Sequence, residues 1–202
     1  NLGYQKDILL FDNGSSPSFE NIADRLQIRF QREENNIFVN PAWNKIISQE
    51  NCDYLTLFNN DCFILSANYF RDILTHMEKN NIGITSCKTK NIKIIKQPLQ
   101  TDNFFFINKE NTPLNFIPNA RRQGWLMTLD LKQYRKMNYI IPDYLKLWYG
   151  DDWIWGQHIK NNIKYGVYKN RYAIHLRNTT ILSANLNSMI EEDNMNLEKY
   201  GD

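Results

Sequence analysis

The segment Tyr54-Leu55-Thr56-Leu57-Phe58-Asn59-Asn60-Asp61 decides the fold. Tyr54–Phe58 reads as a buried central strand, and it runs directly into a polar turn that carries one carboxylate. Upstream, Pro41–Gln49 has helical spacing, with Ala42, Ile46 and Ile47 able to face inward. Downstream, a helix over Ala67–Lys79 precedes a strand over Ile82–Ser86. Working outward, strands are expected at Asp7–Phe11, Leu26–Phe30 and Trp125–Leu129, and a strand pair or hairpin at Tyr165–Ile174. Helices are expected at Pro17–Arg25 (with Ser16 as N-cap), Leu131–Met137, Asp151–Lys160 and Leu182–Tyr200. Strands alternating with helices predict an α/β layered fold in one domain spanning 1–202. The proline-punctuated stretch Cys87–Ala120 is expected to hold strands and a mobile loop.

The 202 residues suit one domain with a real core. A formal net charge of +2 gives no basic footprint for a nucleic-acid partner. Five Trp, eleven Tyr and eleven Phe fill a core or line pockets for sugars and bases. Cys52, Cys62 and Cys87 fit no zinc spacing; they read as reduced thiols in a cytoplasmic setting, Cys52 and Cys62 as small buried hydrophobes. No apolar run reaches the length of a transmembrane segment, and no signal peptide is visible.

Four constellations carry chemistry. Asp12-Asn13-Gly14-Ser15 follows a strand, where open α/β sheets bind ligands. Asp12 either meets a base or ribose or closes an Asx turn. Asp61, ending the central strand, either holds a hard divalent cation against a diphosphate or sits in a plain turn. In Gly150-Asp151-Asp152-Trp153, one acid serves as a general base beside a sugar-stacking Trp, or the acids cap a helix. His175 completes a metal site with Arg177 meeting phosphate, or it is structural. His76 and His158 lie within helices and receive no role.

In their order, these segments resemble the GT-A glycosyltransferases of the family 2 type. DILLFDNGSS is similar to the family's strand ending in a D-x-x-S-like turn, and LTLFNND to its D-x-D or N-D-D strand. Asn36–Asn44 resembles an N-x-G segment without its Gly, and Gln123-Gly124-Trp125-Leu126-Met127 a glycine loop before the acceptor. Gly150-Asp151-Asp152-Trp153 looks like the acidic element that supplies the base, and His175 like a late metal-binding His. The resemblance runs from about Asp7 to Thr180.

The resemblance implies a GT-A, Rossmann-like α/β fold whose mixed, mostly parallel sheet is flanked by helices. It implies a metal-assisted, inverting transfer from a nucleotide-sugar donor, UDP-sugar favoured, to a glycan, lipid-linked or protein acceptor. Asp12, Gly14, Asn36, Asn44, Asn60 and Arg177 would meet the donor. Asp61 and His175 would hold Mn²⁺ or Mg²⁺. Asp152, or its neighbour Asp151, would be the base, and Gly124, Trp125 and Trp153 would shape the acceptor pocket. Contact with a membrane surface is implied where the acceptor is lipid-linked. The family carries a strand and helix ahead of the D-x-x-S strand, so with six residues before Asp7 either that first strand lies upstream or the fold is a reduced version. Two rival readings stand beside this one. A nucleotidyltransferase would carry paired acids or a Gly-rich phosphate loop, and neither is evident. A non-catalytic glycan- or nucleotide-binding relic is favoured by Asn59 and Asn60 and opposed by Asp61 and Asp152.

Overall fold

A computed structural model describes residues 5–66, 68–92, 113–121, 124–176 and 186–200. After a 3₁₀ turn at Gln5–Asp7 come β1 (Leu9–Asn13), α1 (Glu20–Leu26), β2 (Arg29–Glu33), α2 (Val39–Gln49), β3 (Tyr54–Phe58) and β4 (Cys62–Ile64). The chain continues through α3 (Tyr69–Asn80), β5 (Ile82–Ile92), β6 (Phe116–Pro118), β7 (Leu126–Asp130), α4 (Leu131–Tyr134), α5 (Gly150–Lys160), β8 (Lys164–Leu176) and α6 (Asn187–Tyr200). The six-stranded sheet runs β3-β7-β5-β8-β4, with β6 also on β8, while β1 and β2 form a separate parallel pair.

Strand β7 shows how the sequence builds the core. Leu126 faces the cluster of Tyr69, Ile73 and Met77. These lie four residues apart on α3, so they form one stripe. Met127 and Leu129 point the other way, to Ile47 of α2 and Ile154 and Trp155 of α5. The period of two along one strand thus fills both faces of the sheet and makes three layers.

The mixed sheet flanked by helices agrees with expectation, but its pairings are not mostly parallel. Only β1–β2 and β5–β8 run parallel among the described strands; β3–β7, β5–β7, β4–β8 and β6–β8 are antiparallel. The first strand lies two residues later than Asp7–Phe11, at Leu9–Asn13. The first helix begins at Glu20 and not Pro17, and Ser16 does not cap it; Asp12 accepts from the Phe19 amide instead. Tyr165–Ile174 is no hairpin but part of one long strand, β8. Residues 93–112, where a mobile loop was expected, lie outside the described residues.

Strand β8 changes register midway. Cys87 stands opposite Tyr168 and the next residue, Lys88, opposite Tyr172, so Lys169, Asn170 and Arg171 bulge out. The bulge is pinned at each residue. The Lys169 amide donates to Asn115 O, and Asn170 bonds the Asn115 amide and Pro113 O. Arg171, 6% exposed at its side chain, donates to Asp72 of α3 at 2.6 Å. Losing Arg171 strips the Asp72 carboxylate of its close buried partner and leaves only the exposed Arg71 at 3.4 Å, which costs more than losing both members of the buried pair. Arg171→Met is therefore expected to lower stability by about 3 kcal/mol in urea denaturation. The double variant with Asp72→Leu is expected to regain a large part of that loss.

Candidate active site

The turn after β3 is fixed on both sides. The Asn59 amide donates to Trp125 O at 3.0 Å, and the Cys62 amide to Asn59 O at 3.1 Å. Strand β4 then pairs antiparallel with β8, with Cys62 opposite His175. This register brings Asp61 Oδ2 to 3.4 Å from His175 Nε2, the side chains only 14% and 12% exposed. Trp125 stacks on the imidazole, with ring centroids 4.3 Å apart and planes within 15°. Asp61, Cys62 and His175 each offer a ligand atom, and the three lie within 4.8 Å of one another.

A carboxylate oxygen and an imidazole nitrogen bound to one ion at about 2.1 Å stand roughly 3.4 Å apart. The observed spacing matches, and an O/N pair suits a divalent cation completed by phosphate oxygens. Asp61 and His175 thus fit the metal role that the resemblance implies. From the sequence Cys62 reads as a small buried hydrophobe, and its register opposite His175 adds it to this cluster. Burial, then the negative charges of Asp61 and Cys87, push its thiol up to about 12.

Helix α5 presents the two acids differently. Gly150 packs so tightly on Asn40 that a Cβ would lie 2.0 Å from its Oδ1. Asn40 in turn donates to Leu145 O and Trp148 O, tying α2 to the approach of α5. Asp151 is largely buried and accepts from the Gly124 amide at 2.8 Å. A Cβ on Gly124 would meet Asp151 Cβ at 2.7 Å and the Trp43 ring at 2.8 Å, so only glycine allows this approach. Burial first, and the Asp152 charge second, raise the Asp151 carboxyl above its usual range against the pull of nearby amides. Asp152 is 58% exposed and faces Arg121 at 3.6 Å. With Tyr144, Tyr149, Trp153 and Gln157 it lines a cleft of about 500 Å³. Trp155 is core. His158 also belongs to the core, stacked on Tyr134 and pushed down to about 4 by burial, while His76 bonds the Tyr168 hydroxyl.

Several of the remaining candidates bond within the chain. Asp12 is 2% exposed, and its carboxylate accepts from the amides of Ser15 and Phe19 and from Arg32 at 2.7 Å. Gly14 has φ +76°, and a Cβ there would meet the Asn35–Asn36 backbone at 2.5 Å. Asn36 is exposed and accepts from the Phe38 amide. Asn44 exchanges two hydrogen bonds with the Ile141 backbone. Asn60 is exposed at the tip of its turn. Arg177 lies outside the described residues. Burial opposes the charge on Asp12, but the Ser15 and Phe19 hydrogen bonds and Arg32 outweigh it and hold the carboxyl at about 2. A depressed carboxyl stabilises the fold above its unfolded value and loses that stabilisation as pH falls through the folded one. Between about pH 4 and pH 2, Asp12 is expected to surrender about 2 kcal/mol. Acid denaturation should show a correspondingly shallower slope for Asp12→Asn.

The sequence matches the family described as Glycosyl transferase family 2 over residues 1–137. No curated protein sequence matches it significantly. Among solved structures, S. aureus TarS 1-349 superposes with a TM-score of 0.63 at 10% identity, over 100% of this chain and 67% of that one. TarS 1-349 in complex with UDP-GlcNAc gives 0.61 at 13% identity, over 91% and 56%. GalNAc-T7 with UDP, GalNAc and Mn²⁺ gives 0.61 at 12%, over 87% and 38%. At such identities the likeness shows the fold, here GT-A, and the chain spans 38% to 67% of those chains. The family match carries Asp61 and Gly124 but stops before Asp151 and His175, which the fold alone brings to them. With its match over about two thirds of the chain and this fold, the protein belongs to glycosyl transferase family 2.

Proposed function

We propose that this chain transfers a sugar from a nucleotide-diphosphate donor, a UDP-sugar, to a hydroxyl of a glycan or other acceptor. The observation that carries the reading is one continuous arrangement. Asp61 meets His175, Trp125 stacks on His175, and Gly124, next to Trp125, donates to Asp151. Cation ligands and a buried carboxylate are thus joined through two adjacent residues. UDP and UDP-GlcNAc in the TarS complexes, and UDP with Mn²⁺ in GalNAc-T7, support the choice of donor and metal.

Asp61 and His175 would hold Mn²⁺ or Mg²⁺, which supplies Lewis-acid neutralisation of charge on the leaving diphosphate. Trp125 keeps the imidazole plane fixed, so His175 pays little ordering entropy on binding. Of the two acids, we assign the base to Asp151. Its carboxyl is raised above the usual range, which suits a proton acceptor, and Gly124 N–H fixes one oxygen of the half-buried carboxylate. Asp151 takes the acceptor hydroxyl proton. The freed oxygen pair bonds to the anomeric carbon as the bond to the diphosphate breaks, with inversion. Asp152, exposed beside Arg121 in the aromatic-lined cleft, is better placed to meet acceptor hydroxyls. Asp12 and Asn44 are assigned to the architecture beneath the donor site and not to the donor. No helix among the described residues is long and apolar enough to cross a membrane.

Calorimetric titration of UDP with Mn²⁺ is expected to show binding that EDTA abolishes and that Asp61→Ala weakens by about tenfold or more. Absence of any binding by UDP, dTDP or GDP would sink the donor reading and favour the relic. In transfer assays, Asp151→Asn is expected to cut kcat by roughly 10² to 10⁴, with UDP affinity kept. Asp152→Asn should retain most of the turnover. Because the Asp152 charge raises the Asp151 carboxyl, that variant should also move the acid limb of the rate profile to lower pH. Equal losses in both variants would return the base assignment to an open choice.

A further inference from the structure

We propose that Cys62 is a third cation ligand, so that the site favours thiophilic divalent ions such as Zn²⁺ or Co²⁺ over Mg²⁺ and Mn²⁺. The inference rests on the proposed metal site at Asp61 and His175 and deepens it. Cys62 is directly opposite His175 in the antiparallel β4–β8 pair, so both side chains leave the same face of the sheet. Asp61 immediately precedes Cys62. The carboxylate, thiol and imidazole donor atoms all fall within 4.8 Å of one another.

One ion with bonds of about 2.1 Å to oxygen and nitrogen and about 2.3 Å to sulfur keeps its tetrahedral ligands roughly 3.4–3.6 Å apart. The Asp61–His175 edge already has this length, at 3.4 Å. Closing the edges to sulfur takes at most about an ångström of side-chain movement. The turn offers no second carboxylate, since Asn59 and Asn60 are neutral. Hard ions prefer sites made of oxygen, whereas one S, one N and one O suit zinc or cobalt. The fourth position stays open for a phosphate oxygen or water. Formation of the metal–sulfur bond releases the thiol proton to solvent. Cys52 is exposed and Cys87 lies buried on β5, neither within the cluster.

The test is an optical titration of the full chain with Co²⁺ alone. The wild type and a Cys52→Ser control are expected to develop both visible ligand-field bands and a near-ultraviolet sulfur-to-cobalt charge-transfer band. Cys62→Ser should keep the visible bands, lose the charge-transfer band and bind Co²⁺ about tenfold or more weakly. Zn²⁺ at equimolar concentration should displace Mn²⁺ from the wild type. Visible bands without charge transfer in the wild type would overturn the role of Cys62 and leave the Asp61–His175 site standing. Charge transfer that survives Cys62→Ser would assign the sulfur elsewhere and likewise overturn it. No Co²⁺ binding by the wild type would remove both the inference and the metal site beneath it. If the buried Cys62→Ser variant fails to fold, Cys62→Ala makes the same comparison, and a wild-type spectrum without charge transfer overturns the inference by itself.

Discussion

The register shift in β8 is the constraint on which the rest of the structure depends. One strand serves three partners: β6 beside its first half, β4 beside its second, and β5 along both. The Lys169–Arg171 bulge resets the β5–β8 register, and beyond it β8 pairs with β4, which sets His175 beside Asp61. Bulges bend strands and re-aim side chains, and here the bend is held by a buried Arg171–Asp72 pair and by Asn170 clasping the 113–115 segment. The strand that carries His175 is thus tied to α3 by an ion pair outside the candidate metal site.

Four aspartates show how environment sorts one residue type into different tasks. Asp12 is surrounded by donors and stays charged, which suits a structural anchor. Asp193 of α6 is also buried and accepts from three successive amides, Lys146, Leu147 and Trp148. It thereby holds the approach to α5, helped by Tyr149 bonding Asn194. Asp151 is half-buried with a like charge next to it, so its proton affinity rises, which suits the base role proposed for it. Asp152, one residue on, points into solvent and meets Arg121. The helical turn alone separates the last two, because consecutive helical residues face directions about 100° apart.

Several elements were legible because their patterns are local, although Tyr54–Phe58, read as a buried central strand, lies half-buried at the edge of the six-stranded sheet, a position set by pairing with β7 far along the chain. Tyr54–Phe58 is a strand with the expected ends, and α5 starts within one residue of expectation. Ends elsewhere shifted where a tertiary contact intervened. Asp12 capturing the Phe19 amide delays α1. Asn40 and Phe38, the latter with φ 68°, start α2 before Pro41. The motif spacing tolerates a slip of one residue, so the sequence held both Asp152 and Asp151 as candidates. Burial against Gly124 separates the two acids, and no spacing contains that information. Asn44 looked like a donor contact, yet its amide can reach Ile141 only because a distant loop folds back over α2.

The sequence by itself determined the α/β alternation, the family resemblance, and the identities of Asp61, His175, Gly124 and the Asp151–Asp152 pair. Each follows from side-chain chemistry and short-range periodicity, which are written residue by residue. The tertiary structure alone decided which of these meet. It brought Cys62 to His175 through strand register, laid Trp125 on the imidazole, and turned Asp151 inward and Asp152 outward. The physical reason is that register, burial and charge environment are properties of pairs of residues far apart in the chain, and they exist only once the sheet has closed.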